Sequence, residues 1–336
     1  FVFILIINIG FSVNRNGTTA ANFLEIDLGS AGSAMGGAYV SLANDLSAVY
    51  WNPAGLSSIR NRETLFLYQP WLVDIKNIYA GIGFELPKIG TLAFSINFFD
   101  YGNEEVTTVE YPDGTGELYT ANEYAIVLSY GRRIVNWFSF GTSVKYISSK
   151  IWHNSASAFA LDLGVIVDTD FFSVTGNRNN GLKIGMSISN YGTNMRYDGM
   201  DLLNPIDISD NYGNFENVPG QFKTEDWELP LLFRIGLSAQ PIYTINQILT
   251  ISIDALHPNN NSESINLGSQ YEYRIPGGTS LFLRLGLKGT NKISFEQFNY
   301  DMLNTDIINV NNAEYGLTYG FGLKLWLNKN NALKIT

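Results

Sequence analysis

The chain has 336 residues, of which 45% are hydrophobic and 14% aromatic, and its formal net charge is −10 with an isoelectric point near 4.7. The acidic charge argues against a nucleic-acid partner, because a surface that pairs with phosphates is rich in lysine and arginine. The chain has no cysteine and two histidines, so it offers no disulfide, no thiolate metal site and no multi-histidine metal site.

The amino end is a predominantly apolar run, Phe1–Phe11. The run is too short to span a bilayer and matches the core of a secretory signal peptide, although a buried strand is the alternative. Neither a methionine nor a basic region precedes it. We therefore expect residues 1–21 to be a truncated signal peptide and leader, cleaved somewhere between Ser12 and Ala21.

Residues 29–56 differ from the rest of the chain, because glycine and other small residues dominate and the apolar residues do not alternate. Ser41–Tyr50 is predicted to form a short helix that ends before Pro53. Packed small residues are typical of a compact plug rather than a wall strand. Residues 22–60 are therefore predicted to form an N-terminal hatch inside a barrel.

From about residue 62 onward, apolar residues recur at every second position, as in residues 281–288. Strand side chains alternate between two faces, which places Leu281, Leu283, Leu285 and Leu287 opposite Phe282, Arg284, Gly286 and Lys288. A soluble sandwich would bury the apolar face against a second sheet, whereas an outer-membrane barrel turns it to lipid. A helical membrane protein is excluded, because a mean hydropathy of zero does not accommodate repeated apolar runs of about 20 residues.

Thirteen strands are predicted, and several match the roughly ten residues that cross a bilayer at a tilt. They lie near residues 62–69, 75–86, 89–101, 118–131, 136–150, 156–168, 180–197, 229–240, 246–257, 263–275, 279–289 and 313–327, with the last from residue 331. Bacterial single-chain barrels close with an even number of strands. We therefore expect residues 61–336 to form a transmembrane antiparallel up-and-down β-barrel of fourteen strands, with the last strand missing from the sequence.

The connections between these strands alternate in length. Tight turns near residues 87–90, 132–136, 241–245, 275–278 and 328–331 alternate with longer loops at 102–117, 198–228 and 290–312 and with shorter ones near 151–156 and 258–262. Only the connection at 169–179 has no clear place in this pattern. Outer-membrane barrels keep short turns in the periplasm and long loops outside. The alternation thus favours an integral barrel of the bacterial outer membrane with its long loops at the cell surface.

Charged residues occur on the polar face of the predicted strands. In lipid each would cost a few kcal/mol near the midplane, so these residues are predicted to face the lumen: Glu85, Lys145, Asp162, Arg234, Asp254, Glu272, Arg274, Arg284 and Lys288. Their mixed sign favours pairing with one another and with the hatch over a selective solute pathway, which tends to carry one sign.

Motifs for catalysis are absent from the sequence: no phosphate-binding glycine loop and no Gly-x-Ser-x-Gly elbow occurs. His153 and His257 could serve a serine hydrolase, but the spacing indicates no partner for either, and loop or rim positions are the favoured interpretation. The sequence therefore predicts a non-catalytic protein without a cofactor.

The acidic loop at residues 198–228 is the one candidate for a metal ion. Asp207, Ser209, Asn211 and Gly213 loosely match the spacing of a calcium loop, but Tyr212 stands where the sharp turn needs glycine. A solvated surface loop is therefore preferred, and no metal site is predicted.

The segment Phe23–Leu56, which ends in Asn52, Pro53, Ala54, Gly55 and Leu56, resembles the PorV/PorQ family, part of the wider FadL-type superfamily of outer-membrane proteins. The resemblance is specific over residues 23–56 and only architectural after them. It implies a fourteen-stranded barrel in which the segment ending in the Asn52–Gly55 motif acts as an internal hatch.

The resemblance also implies two functions. Members of PorV type escort or dock secreted cargo at the type IX translocon, whereas FadL-type relatives pass hydrophobic compounds inward through the barrel. Because the predicted lumen is polar and the long loops are polar, we favour a docking or shuttle component of protein secretion. Its expected partners are outer-membrane lipid and translocon subunits or secreted proteins; a transporter that binds a small hydrophobic molecule is the alternative.

Overall fold

A computed structural model describes residues 17–208, 218–276, 278–290, 316–326 and 332–336. Most of the predicted leader, the loosely calcium-like positions after residue 208, the turn near 328–331 and nearly all of the predicted loop at 290–312 lie outside the described residues.

The N-terminal segment, residues 17–60, contains only short helical turns. Two 3-10 turns lie at Asn22–Glu25 and Pro53–Ser58, and two α-helices lie at Ser30–Ala34 (α1) and Ala48–Trp51 (α2). No helix in the described part of the chain is long and apolar enough to cross a membrane.

The helix predicted over residues 41–50 is wrong in extent, because only α2 forms, at the end of that range. The Asp45 carboxylate accepts hydrogen bonds from the backbone N–H of Ser47, at 3.1 Å, and from the Ser47 hydroxyl, at 2.5 Å. Aspartate that binds the backbone two residues ahead stabilises a turn in place of a helix.

Within the described residues, thirteen strands pair in one antiparallel path in chain order, and they correspond one by one to the predicted strands. They are β1 (Arg62–Pro70), β2 (Lys76–Leu86), β3 (Gly90–Glu105), β4 (Leu118–Val135), β5 (Phe138–Ile151), β6 (Asn154–Asp168), β7 (Lys183–Gly192), β11 (Leu232–Tyr243), β12 (Gln247–Pro258), β13 (Ser264–Ile275), β14 (Thr279–Lys288), β15 (Gly316–Trp326) and β16 (Ala332–Ile335). The predicted all-β, antiparallel, up-and-down architecture is therefore confirmed.

The connection between β7 and β11 carries three further short strands. The two-residue β8 (Asp198–Gly199) pairs with β6 and makes the sheet fourteen-stranded, while β9 (Leu203–Ile206) and β10 (Val218–Gln221) pair as a separate hairpin. The sequence placed this region in a loop. The closing strand expected beyond residue 336 lies outside the described residues.

The two faces of the sheet differ as the alternation predicts. On β14, Leu283, Leu285 and Leu287 are exposed, whereas Phe282, Arg284 and Gly286 are buried. The register places Leu285 beside Tyr319 of β15 and Leu287 beside Leu267 of β13 and Leu317 of β15. Soluble proteins rarely expose so continuous an apolar surface, and lipid is the medium that accommodates it.

The N-terminal segment contacts both the first and the last strand of the path, as the curvature of a barrel allows. The backbone N–H of Leu46 donates to Glu63 Oε1 of β1 at 2.9 Å, and the neighbouring Asp45 forms an ion pair with Lys334 of β16. Two consecutive residues thus contact both edges, although β1 and β16 do not pair within the described ranges.

Substituting an exposed apolar side chain in the middle of the sheet tests its contact with lipid. We expect Leu285→Arg to destabilise the folded protein in phospholipid vesicles by about 2–4 kcal/mol, because the charge would lie in the hydrocarbon region. Leu72→Arg, at an even more exposed position in the connection between β1 and β2, is the control. Urea titration followed by heat-modifiable gel mobility measures both, and equal midpoints would contradict the assignment of this face to lipid.

Candidate functional site

The N-terminal segment packs against the buried face of the sheet around Trp51. The Trp51 ring meets the rings of Tyr39 and Tyr50 edge to face, with centroids 5.8 and 5.0 Å away, and its Nε1 donates to the carbonyl of Leu28 at 2.9 Å. Such edge-to-face pairs add to the stabilisation that burial of the rings provides. The segment therefore has an ordered apolar centre of its own.

Asn52 ties this segment to the sheet. Its side chain is 0% exposed. The Asn52 amide donates to the carbonyls of Val40, at 2.9 Å, and of Val165 on β6, at 3.0 Å, and its carbonyl oxygen accepts from the N–H of Ala54 at 3.1 Å. Only an amide supplies both donors and an acceptor in this volume, so the Asn-Pro-Ala motif has a specific structural requirement here.

Glycines of the sheet face the backbone of the N-terminal segment at van der Waals distance. A Cβ at Gly141 would lie 2.2 Å from the Pro53 carbonyl carbon, and one at Gly286 would lie 2.1 Å from the Gly36 nitrogen. Five glycines have such contacts with the backbone of the segment, and at Gly164 a Cβ would instead meet the side chains of Asn52 and Pro53. We call these six residues the glycine cradle: Gly131, Gly141, Gly164, Gly185, Gly268 and Gly286. Gly131, Gly141 and Gly164 are direct cross-strand neighbours on β4, β5 and β6. The cradle lets two backbones approach where any side chain would separate them.

The structure brings Lys145 and Asp162, both among the predicted lumen charges, together as a buried ion pair. Lys145 Nζ lies 2.7 Å from Asp162 Oδ2 and donates to Asn190 Oδ1, also at 2.7 Å. The backbone N–H of Asn190 donates to Asp162 Oδ1 at 2.8 Å. Burial of both charges is tolerated because each has close partners.

Arg234 of β11 and Asp254 of β12 both contact the N-terminal segment. Arg234 Nη2 donates to the Tyr50 hydroxyl at 3.2 Å, and its guanidinium lies over the rings of Tyr50 and Trp51, 5.1 and 5.5 Å from their centroids. Asp254 Oδ2 accepts from the backbone N–H of Val40 at 2.8 Å. These two charges therefore fasten the segment to β11 and β12.

The remaining predicted charges also have partners. Lys288 pairs with Asp27 of the N-terminal segment at 2.9 Å, Arg274 with Glu272 at 2.8 Å and Glu85 with Arg60 at 3.4 Å, while Arg284 Nε donates to Gln270 at 2.7 Å. Sequence reasoning missed the partners Asn190, Tyr50 and Asp27 and the glycine cradle. Glycine at inward positions of successive strands was the available signal for the cradle.

The buried tyrosines of the segment are neutral hydrogen-bonding groups. Burial, with a smaller effect of Asp45, raises the pKa of Tyr39 to about 12. Burial also raises the pKa of Tyr50, against the opposing influence of Arg234. Both phenols therefore keep their protons at neutral pH, and Tyr50 can donate to the Glu25 carbonyl at 3.0 Å while it accepts from Arg234.

The two histidines lie at exposed positions near strand ends. His153 Nδ1 contacts Asp201 Oδ1 at 2.9 Å and its ring stacks on Trp152, while His257 Nδ1 contacts Glu263 at 3.1 Å. Within the described residues, no serine hydroxyl joins His153 in a hydrogen bond, and no cluster of three or more His, Asp or Glu side chains could hold a metal ion.

Comparison with known proteins agrees with this architecture. The family model described as "Type IX secretion system protein PorV" matches residues 12–214, more than half of the chain. No match is found among curated proteins.

The solved structures that are similar to the chain include three that are each 11% identical to it. The TodX deltaS2S3 mutant monoaromatic hydrocarbon channel covers 91% of each chain with a TM-score of 0.50. The Pseudomonas putida toluene transporter TodX covers 90% of each with a TM-score of 0.48. A Pseudomonas aeruginosa FadL homologue covers 91% of this chain and 87% of its own with a TM-score of 0.45. The first of these supports the fold alone.

The glycine cradle is tested by adding one methyl group. We expect Gly141→Ala to lower the free energy of unfolding by about 1–3 kcal/mol, because the Cβ would overlap the Pro53 backbone, which cannot move independently. Gly83→Ala is the matched control, since its Cβ would meet a methyl group of the flexible Leu46 side chain. Urea unfolding of both variants provides the comparison, and an undisturbed Gly141→Ala protein would show that the segment is loosely held.

The Lys145–Asp162 pair is tested by a double-mutant cycle. Lys145→Met should cost about 3–5 kcal/mol, because it leaves the Asp162 carboxylate buried without its counter-charge. Lys145→Met combined with Asp162→Asn removes that charge and keeps an acceptor for Asn190, so we expect the double variant to recover at least half of the loss. Urea unfolding of Lys145→Met, Asp162→Asn and the double variant completes the cycle. If the double variant lost as much unfolding free energy as the two single variants together, the two residues would act independently.

Proposed function

Because the chain belongs to the family of the type IX secretion system protein PorV, we propose that it is a non-catalytic, integral outer-membrane β-barrel that docks or shuttles secreted proteins at the secretion apparatus. In this proposal the long connections lie at the cell surface, in keeping with the rule that outer-membrane barrels have short periplasmic turns.

The close fit of the N-terminal segment is the observation that carries the proposal. Its backbone touches the glycine cradle, its Asn52 side chain donates to the Val165 carbonyl of β6, and Arg234 and Asp254 bind it from the sheet. Passage of a solute past this segment would require many of these contacts to break together. A protein whose N-terminal segment is held this tightly is better suited to bind partners through its outer surfaces.

The connection between β7 and β11 supplies such a surface. Large apolar side chains are exposed on and beside the β9–β10 hairpin: Met200, Leu203, Ile206, Ile208 and Phe222. They belong to a connection beyond the strand ends, where lipid does not account for their exposure. Exposed apolar groups of this kind mark protein contact sites, and the acidic residues around them favour a partner with basic groups.

Transport of a small hydrophobic compound is the competing hypothesis. The likeness to the TodX deltaS2S3 mutant, described as a monoaromatic hydrocarbon channel, shows a shared fold at 11% identity and does not extend to cargo. Transport requires the N-terminal segment to move away from the buried face of the sheet. The packing described above therefore favours docking over transport.

The decisive experiment recovers the protein from its native outer membrane in mild detergent and identifies the proteins that accompany it. We expect translocon subunits or secreted proteins to co-purify. Leu203→Ser, Ile206→Ser and Phe222→Ser together should reduce the recovered partner at least about tenfold, since loss of apolar hot-spot contacts costs more than about 1.4 kcal/mol.

A control variant tests whether the loss of partners is specific to the β9–β10 hairpin. Ile89→Ser with Ile245→Ser removes two exposed apolar residues in tight turns at the other end of the sheet and should leave the recovered partners unchanged. Recovery of the wild-type protein without any secretion component would overturn the docking proposal. Uptake of toluene into liposomes that contain the protein would then favour transport.

A further inference from the structure

The connection between β6 and β7 differs from the others at its end of the sheet. The turns after β2, β4 and β11 span two or three residues, whereas this connection runs over residues 169–182. Its backbone is ordered by hydrogen bonds: Thr169 N–H donates to the Leu182 carbonyl at 3.0 Å, and Leu182 N–H donates to the Phe171 carbonyl at 2.8 Å. A loop preorganised in this way is suited to binding, because little entropy is lost when a ligand arrives.

Aromatic side chains of this loop and of the neighbouring turn are exposed. Phe171 is 68% exposed and Phe172 79% exposed, and Trp137 in the neighbouring turn is 46% exposed. Phe172 also has a φ of +56°, which is unfavourable for a bulky side chain. Exposed aromatics held in a strained backbone indicate a contact that the folded chain itself does not supply.

A cavity of about 230 Å³ lies at the base of the loop. Trp137, Val167 and Phe171 form its apolar part, and Asp168, Asp170 and Arg178 its charged part. Asp168 is already paired, with Arg133 at 3.7 Å and Lys183 at 3.5 Å.

Asp170 and Arg178 are the two charged residues of this cavity that form no ion pair within the described residues. Among the described residues, neither the Asp170 carboxylate nor the Arg178 guanidinium has an ion pair or side-chain hydrogen bond. Two opposite charges on one cavity that do not pair with each other match a ligand that itself carries both signs.

The apolar side of the cavity continues onto the outer face of the sheet. Val167, Val165 and Leu163 alternate with the buried residues of β6 and lie in one outward row. From Leu163 to Val167 the strand rises roughly 13 Å, close to the roughly 15 Å of one leaflet of a bilayer. An acyl chain beside this row would place its head group at the cavity.

We propose that this cavity binds the head group of an amine-bearing zwitterionic phospholipid, with its phosphate at Arg178, its ammonium group at Asp170 and an acyl chain along Val167–Leu163. A purely anionic lipid fits less well, because Asp170 would repel it. A protein partner fits less well too, because the apolar row that leads into the cavity belongs to the lipid-facing surface. Trp137 then packs against the glycerol region, where amphipathic aromatic rings are stable, and the apolar ring of Phe171 packs against the adjoining acyl carbons.

Native mass spectrometry of the delipidated full chain in detergent tests the site. We expect phosphatidylethanolamine to be retained about tenfold more than phosphatidylglycerol with the same acyl chains, the difference expected from about one charge-assisted hydrogen bond. Arg178→Gln should reduce retention of both lipids. Asp170→Asn should abolish the preference, so that both lipids are retained about equally.

The controls separate a specific site from a general effect of charge. Arg196→Gln and Asp113→Asn remove exposed charges elsewhere and should leave the preference intact. Equal retention of the two lipids by the wild-type protein would overturn the proposal, and so would full competition by soluble phosphoethanolamine, which would identify a soluble ligand. A photoreactive phenylalanine analogue at position 172 should label lipid in native membranes, and labelling of a protein instead would overturn the proposal.

Discussion

The close contact between the N-terminal backbone and the wall glycines is the interaction on which the interior depends. A sheet that faces lipid must satisfy its backbone hydrogen bonds within itself, and in the described residues adjacent strands do so through one antiparallel ladder that runs from β1 to β16. The inner face then has to be covered by the chain's own residues. Gly131, Gly141 and Gly164 allow the turn at Asn52–Pro53 to lie directly against the wall, and Asn52 satisfies the polar groups that this contact buries.

The buried charges have a structural role that follows from this arrangement. Arg234, Asp254 and Lys288 reach the N-terminal segment, whereas Lys145 and Asp162 neutralise each other within the wall. Opposite signs in close pairs stabilise a filled interior, and among the described residues they form no continuous path of one sign for an ion or solute. The proposed role in docking rests on this filling, since contacts with other molecules then fall to the outer surfaces.

The outer surfaces at the two ends of the sheet differ in chemistry. The β7–β11 connection exposes apolar and acidic groups beyond the membrane-facing strands, which suits a protein partner. The loop at 169–182 presents Phe171 beside an apolar row of β6, with Asp170 and Arg178 at its cavity. A zwitterionic head group matches that combination of groups. The same chain would thus contact protein at one end and a defined lipid at the other.

The sequence by itself determined the strands and their outward apolar face, because both follow from a local two-residue period, whereas the role predicted for Asn52–Gly55 came from a family resemblance. It did not determine the turn at residues 41–47, where the Asp45 side chain competes with the helix. Nor did it determine which charges pair: Arg234 and Tyr50 are 184 positions apart, and Lys145 meets Asn190 only through the register of β5, β6 and β7. Tertiary structure decided these contacts. Strand register and the path of the N-terminal segment bring these residues together, and no repeating pattern in the sequence relates their positions.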